Sequence, residues 1–198
     1  ADFSKPAELE ELIKHQLKDT TYQVLVNNTG GPPAGSIIDA KPEQFVSAFS
    51  NHLICNHLLA TALLPGMKQS NYGRIINVIS TSVKIPLRGL GVSNTIRGAV
   101  ASWSKTLANE LAPFGITVNN ILPGATNTER LHEIIKNKAQ KTGRSIDEVT
   151  EEMLDEIPMQ RFADPSEIAA AAAFLASPAA SYITGINIPV DGGRTGSL

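Results

Sequence analysis

The sequence predicts an α/β fold, a parallel sheet covered by helices on both faces. Two observations carry that expectation. Short apolar runs recur at residues 22–28, 74–80, 116–122 and 186–190, each ending in polar residues or a glycine turn, as strands buried on both faces do. Helix-length segments separate these runs, and strands that alternate with long helices need crossover connections, which make the sheet parallel.

The elements follow in order. Residues 1–4 resemble the end of a strand and a turn, with Ser4 or its neighbour capping a helix that starts at Pro6 and runs to residue 18. The first full strand, 22–28, closes at Gly30-Gly31-Pro32-Pro33. A helix over 42–69 follows, with a break expected near Pro65-Gly66, and then the strand 74–80. The next helix runs from about residue 89 to 112 and stops at Pro113-Phe114-Gly115. The strand 116–122 ends at Pro123-Gly124. Residues 128–158 are rich in Glu and Lys and sparse in apolar residues, with two short helices expected at 129–140 and 145–156 around Thr142-Gly143. Because this excursion leaves the carboxyl end of a strand, where open α/β sheets bind ligands, it is either a substrate lid or a solvated surface helix pair. An Ala-rich helix from Pro165 leads to the last strand, closed by Asp191-Gly192-Gly193.

At 198 residues and 42% apolar content the chain has the size of one domain with a substantial core. Seventeen basic residues against nineteen acidic ones, a net charge of -2, leave no excess to condense on a nucleic-acid backbone. The longest apolar stretches, such as 168–176, fall well short of the ~18 residues of a membrane span, and no secretory leader opens the chain. The lone Cys55 has no internal partner and fits a reducing compartment, so the expected location is cytoplasmic. His52 and His57 are five apart and do not share a helix face as a metal pair would, so no metal site is expected.

Several short motifs occur in a fixed order. Asn27-Asn28-Thr29-Gly30 follows the first full strand, Ser80 ends the second, Pro123-Gly124 with Thr128 follows the third, and Tyr182-Ile183-Thr184-Gly185 leads to Val190-Asp191-Gly192-Gly193. Over essentially all 198 residues this set resembles the short-chain dehydrogenase/reductases, most closely those of the 3-oxoacyl-acyl-carrier-protein reductase type. The resemblance implies a Rossmann-like doubly wound parallel sheet, NADP or NAD as cofactor, a small-molecule or acyl-carrier-bound carbonyl substrate, and a homo-oligomer, a tetramer or a dimer, built through the helices 42–69 and 89–112 and the C-terminal strand region. It implies cofactor contacts from Asp2, Asn28, Thr29, Gly30, Pro123, Gly124 and Thr128. No glycine-rich phosphate turn stands ahead of Asp2, so these residues are expected to lack the first strands of the fold, with an N-terminal portion expected ahead of residue 1.

The same alignment exposes three departures. Anchored at Ser80 and at Ser104-Lys105-Thr106, it runs without a gap and sets Ser93 at the family's catalytic tyrosine and Arg97 at its lysine, so that Tyr-x-x-x-Lys reads Ser-x-x-x-Arg. A phenol, with its pKa lowered from about 10 by lysine and cofactor, is a far better proton donor than the serine hydroxyl. Guanidinium still binds ribose hydroxyls and still supplies positive field. His52 falls at the asparagine that holds a relay water, and it is read either as a ligand of that water or as a packed histidine. The resemblance thus implies Ser80 as carbonyl ligand, Arg97 as ribose ligand, His52 at the relay water and Ser93 as a hydrogen-bonding remnant. None of the three tyrosines, Tyr22, Tyr72 and Tyr182, falls near the site by this layout. The expected activity is oxidoreduction of a carbonyl or alcohol; the rival is a non-catalytic relative that keeps the fold for binding or assembly, a reading the missing tyrosine supports.

Overall fold

The computed structural model describes residues 3–17 and 20–197. Asp2, expected to contact adenine, lies outside the described residues. Four parallel strands, β1 (Val24–Asn27), β2 (Gly73–Val78), β3 (Ile116–Pro123) and β4 (Asn187–Val190), lie side by side in sequence order. Seven α-helices connect or flank them among the described residues: α1 (Pro6–Gln16), α2 (Pro42–Phe49), α3 (Cys55–Gln69), α4 (Gly91–Leu111), α5 (Glu129–Thr142), α6 (Ile146–Asp155) and α7 (Pro165–Ala176). Proline at the first turn starts α1, α2 and α7, while α6 and α7 carry reciprocal capping boxes, Ser145 with Glu148 and Asp164 with Glu167.

Alternation along the central strands decides which helix covers which face. Leu25, Ile75 and Val118 stand in register on one face and pack with Ala60, Met67, Leu107, Ala108 and Leu111 of α3 and α4. Ile76 and Ile121 point the other way, against Leu175 of α7. Ile75, Ile76, Val118 and Ile121 are all sealed from solvent, and each such side chain contributes roughly 1.5–3 kcal/mol of burial. Arg74 is buried among them at the amino end of β2, with its guanidinium over the Tyr72 ring and donating to the carbonyls of Gly73, Gly115 and Ser177.

Three expectations need correction. β1 is not buried on both faces: Leu25 and Asn27 are buried, but Val24 and Val26 are 41% and 46% exposed, because β1 is an edge strand in this sheet and α7 covers only β2 to β4. The helix after Pro42 does not break at Pro65-Gly66; α3 carries Pro65 within it, and the irregularity lies upstream, where Ser50–Ile54 forms a π-helical turn between α2 and α3. Nor is the 128–158 excursion short of apolar anchors, since Leu131, Ile135, Ala139 and Val149 form a small core of their own with Phe162 and Met153.

A row of asparagines crosses the whole sheet. Asn27, Asn77, Asn120 and Asn187 occupy matching register positions on the four strands, on the α4 face. Asn27 Nδ2 donates to Asn77 Oδ1 at 2.8 Å, Asn77 Nδ2 to Asn120 Oδ1 at 3.0 Å and to Ser104 Oγ at 2.9 Å, and Asn120 Nδ2 to Asn187 Oδ1 at 2.8 Å. Ser104 Oγ in turn donates to Asn120 Oδ1 at 2.8 Å, which ties α4 to the row.

Candidate active site

The carboxyl ends of β1, β2 and β3 open toward the segments that the sequence singles out. α4 projects Arg97 across two of them: Nη1 donates to Val78 O at the end of β2, 3.1 Å away, and Nη2 donates to Thr29 O beyond β1 at 3.3 Å. Arg97 is only 7% exposed, and its Nε finds no partner among the described residues. Burial, and after it the nearby Arg130, bring the guanidinium down to about 10 from its ordinary value, so it keeps its charge at neutral pH.

Ser93 sits one turn before Arg97 on the same face of α4. It is buried, and its hydroxyl makes no side-chain hydrogen bond among the described residues. The start of α4 is held by Asn94, whose Nδ2 donates to Leu87 O at 2.8 Å, and by Gly91, where a Cβ would stand 2.4 Å from Ile37 Cβ. Ser80, half-buried just past β2, accepts from Ser82 N–H at 3.1 Å, which leaves its hydroxyl hydrogen available to a ligand.

His52 belongs to the π turn. The extra residue in that turn sets the imidazole inward, 2% exposed, with Nδ1 2.5 Å from Thr29 Oγ1. Burial first, then the positive charges of Arg97 and Arg130, lower its pKa to about 4, so it is neutral across the physiological range. His57, on another face of the helix, packs edge-on against Trp103.

Thr29, His52, Arg97 and the end of β2 beside Ser80 are therefore one connected cluster. The remaining expected residues stand around it. Asn28, Thr29 and Gly30 form the loop after β1, and Gly30 faces open space where a Cβ would touch nothing. Pro123 ends β3; Gly124 N–H donates to Val190 O at 2.9 Å, and Thr128 Oγ1 donates to Thr126 O at 3.3 Å just before α5. No hydrogen bond joins Pro123, Gly124 or Thr128 to the Arg97 cluster among the described residues. The tyrosines stand apart: Tyr72 donates to Ala176 O at 2.8 Å at the amino end of the sheet, while Tyr22 and Tyr182 are exposed.

One residue escaped the sequence reading. Arg130, in the first turn of α5, donates from Nη1 to Gly31 O at 2.9 Å and from Nη2 to Pro32 O at 3.0 Å, joining the excursion after β3 to the loop after β1. Its position two residues after Thr128 was the available signal, but among so many charges its role does not stand out. A cleft of about 400 Å³ opens elsewhere, between α6 and the 160–164 segment, lined by Thr150, Leu154, Arg161 and Phe162; none of the expected site residues lines it.

Comparison with known proteins gives a consistent picture. Residues 1–195 match the family model described as enoyl-(acyl carrier protein) reductase. The chain is 34% identical to the NADPH-dependent reductase BacG of Bacillus subtilis, over 88% of this chain and 68% of that protein. It is 35% identical to the 3-oxoacyl-acyl-carrier-protein reductase FabG of Vibrio cholerae, over 97% of this chain and 75% of that one. The structure of L-sorbose reductase from Gluconobacter frateurii, complexed with NADPH and L-sorbose, superposes with a TM-score of 0.91 at 30% identity, covering 100% of this chain and 76% of the other.

Proposed function

Because this chain belongs to the short-chain dehydrogenase/reductase family, NAD(P)-dependent oxidoreductases of carbonyls and alcohols, we propose that Ser80, Ser93, Arg97, His52 and Thr29 form its reaction centre and move the proton without a tyrosine. The observation that carries this reading is Arg97: a charged, almost fully buried guanidinium that spans the ends of β1 and β2 and keeps an unpartnered Nε.

That unpartnered donor also bears on the nicotinamide cofactor, NADP or NAD. A buried N–H without an acceptor is costly unless a ligand supplies one, and a ribose hydroxyl is a suitable acceptor. Arg97 would hold the nicotinamide ribose, with Asn28, Thr29 and Gly30 on one side and Pro123, Gly124 and Thr128 on the other. When bound, the nicotinamide supplies or accepts the hydride.

The chain's own residues handle the oxygen. The Ser80 hydroxyl, its lone pair engaged by Ser82 N–H, donates to the substrate carbonyl oxygen. As hydride adds to the carbon, negative charge grows on that oxygen, and the fixed charge of the buried Arg97 stabilises it. The proton comes from a water held among Ser80, Ser93 and His52, and the hydroxide left behind takes a proton in turn from bulk solvent. Neutral His52, its Nδ1 engaged by Thr29, offers Nε2 to that water as a hydrogen-bond partner rather than as an imidazolium acid.

The substrate class proposed is a small or acyl-carrier-bound carbonyl, with 128–158 as its lid; the resemblance to 3-oxoacyl reductases supports the acyl form. Exposed Val46 and Phe49 on α2 support a homo-oligomer, a tetramer by family analogy, assembled through the α2–α3 and α4 surfaces. The single buried thiol, Cys55, supports a cytoplasmic location. The test is the absorbance of NADPH or NADH against a panel of carbonyls: Ser80→Ala and Arg97→Ala should each lower turnover. Undiminished activity in both variants overturns the site.

A further inference from the structure

Two guanidiniums converge on one short loop. Arg97 reaches Thr29 O from α4, and Arg130 reaches Gly31 O and Pro32 O from the first turn of α5. The approach of Arg130 is close enough that a Cβ on Gly31 would lie 2.8 Å from its Nη2, so glycine is what lets the fork lie against the backbone. The acceptors they have found are carbonyl oxygens, which carry only partial charge. Among the described residues neither arginine pairs with a carboxylate, although other arginines, 144, 161 and 194, all do.

The charge balance is lopsided. Arg97 is sealed from solvent, Arg130 lies close enough to oppose its charge, and the adjacent His52 is neutral. Two positive charges thus share one loop with no negative charge to meet them. Arg97 is the buried one of the two, and buried ions in folded proteins are paired because an uncompensated one is expensive, whereas Arg130 is exposed and adds its charge from the solvent side. A guanidinium carries five N–H donors, and each of these two has used two of them.

We infer that Arg97 and Arg130 form a two-pronged seat for an oxyanion, a phosphate or carboxylate group, against the Thr29–Pro32 loop. Forked donors match such oxygens in pairs, which single lysines do not. The anion has two possible sources: the diphosphate of the dinucleotide, or an acidic group on the substrate. The seat builds on the proposed reaction centre, but it is tested by binding rather than by turnover.

The test is titration calorimetry of the full chain with inorganic pyrophosphate, malonate and NADPH, on the wild type, Arg130→Met and Arg130→Lys. Arg130 is exposed, so Arg130→Met should fold, with thermal unfolding as the check. Loss of one charge-assisted pair predicts about tenfold or more weaker binding of at least one anionic probe in Arg130→Met, with partial recovery in Arg130→Lys. If the diphosphate is the occupant, NADPH weakens together with pyrophosphate. If it is a substrate acid, malonate weakens, NADPH does not, and KM rises for a carboxylate-bearing carbonyl but not for its neutral analogue. If no anionic probe binds, or Arg130→Met shifts every affinity by less than about threefold, the seat is wrong. Anion binding in a protein without turnover keeps the seat and removes the reaction centre; turnover with no Arg130 effect does the reverse.

Discussion

The Thr29 hydroxyl and His52 Nδ1 lie 2.5 Å apart, which fastens the imidazole of the π turn to the loop that leaves β1. The two residues are far apart in sequence, yet this bond fixes where the ring sits and which nitrogen it has left to offer. Burial, and after it the charges of Arg97 and Arg130, hold the ring in its uncharged form.

Stability should therefore depend on pH through His52. Its folded pKa of about 4 lies below the ordinary 6.5. As pH falls below 6.5 the unfolded chain takes up a proton that the folded chain refuses, so stability drops through the window from 6.5 toward 4 and levels off beneath it. His52→Asn should remove this part of the slope. Urea midpoints of both proteins between about pH 7 and about pH 4.5 decide the matter: parallel losses mean that the imidazole is not held neutral.

Nucleotide affinity should rest on Arg97. Arg97→Met removes the charge, and the expected loss is about 1.5–3 kcal/mol, or roughly 10- to 100-fold in Kd. Arg97→Lys, with a compact charge that cannot span Val78 O and Thr29 O together, should fall between the two. Fluorescence titration with NADPH and NADH measures it, and equal affinities in all three proteins would remove Arg97 from the cofactor site.

Restoring a phenol should speed the proton step. General acid catalysis is worth on the order of 100-fold or more, so Ser93→Tyr combined with Arg97→Lys should raise kcat by about that factor over the wild type. Neither single change should match it, because the phenol needs the neighbouring ammonium to lower its pKa. An unchanged kcat in a folded double variant would mean that Ser93 does not stand at the proton-transfer position.

The asparagine row should be costly to interrupt. Asn77 uses its carbonyl for Asn27 and both amide hydrogens for Ser104 and Asn120. Asn77→Leu orphans the buried Asn27 amide, at roughly 1–3 kcal/mol, and removes one bond each from Ser104 and Asn120, which keep the bond between them, so a loss of about 2 kcal/mol or more in urea unfolding is expected. A loss well under that value would show that the neighbours re-pair among themselves.

The strands were legible because β2 and β3 are buried on both faces, and such strands advertise themselves as runs dominated by apolar residues even where asparagines interrupt them. β1 reads the same way in sequence, but its exposed Val24 and Val26 depend on what lies beside it, which local composition does not record. The π turn left no signature, since Ser50–Ile54 reads as ordinary helix, whereas Pro65 was conspicuous and structurally harmless. At the site, the spacing along α4 put Ser93 and Arg97 on one face, and the structure adds that Arg97 reaches β1 and β2 at once. Arg130 was hidden because its partners are backbone carbonyls about a hundred residues away, and backbone acceptors leave no mark on composition.

The amide row across the sheet also works as a vernier. Its four marks come from segments scattered along the chain, and a slip of a single residue in any strand would turn that asparagine to the opposite face; on β2 and β4 an aliphatic side chain would take its place whichever way the strand slipped. Thr29 follows the mark on β1 by two residues, and Ser80 and Pro123 each follow theirs by three. The spacing between the groups that would meet a substrate is therefore gauged inside the protein, well away from the opening where the chemistry would take place.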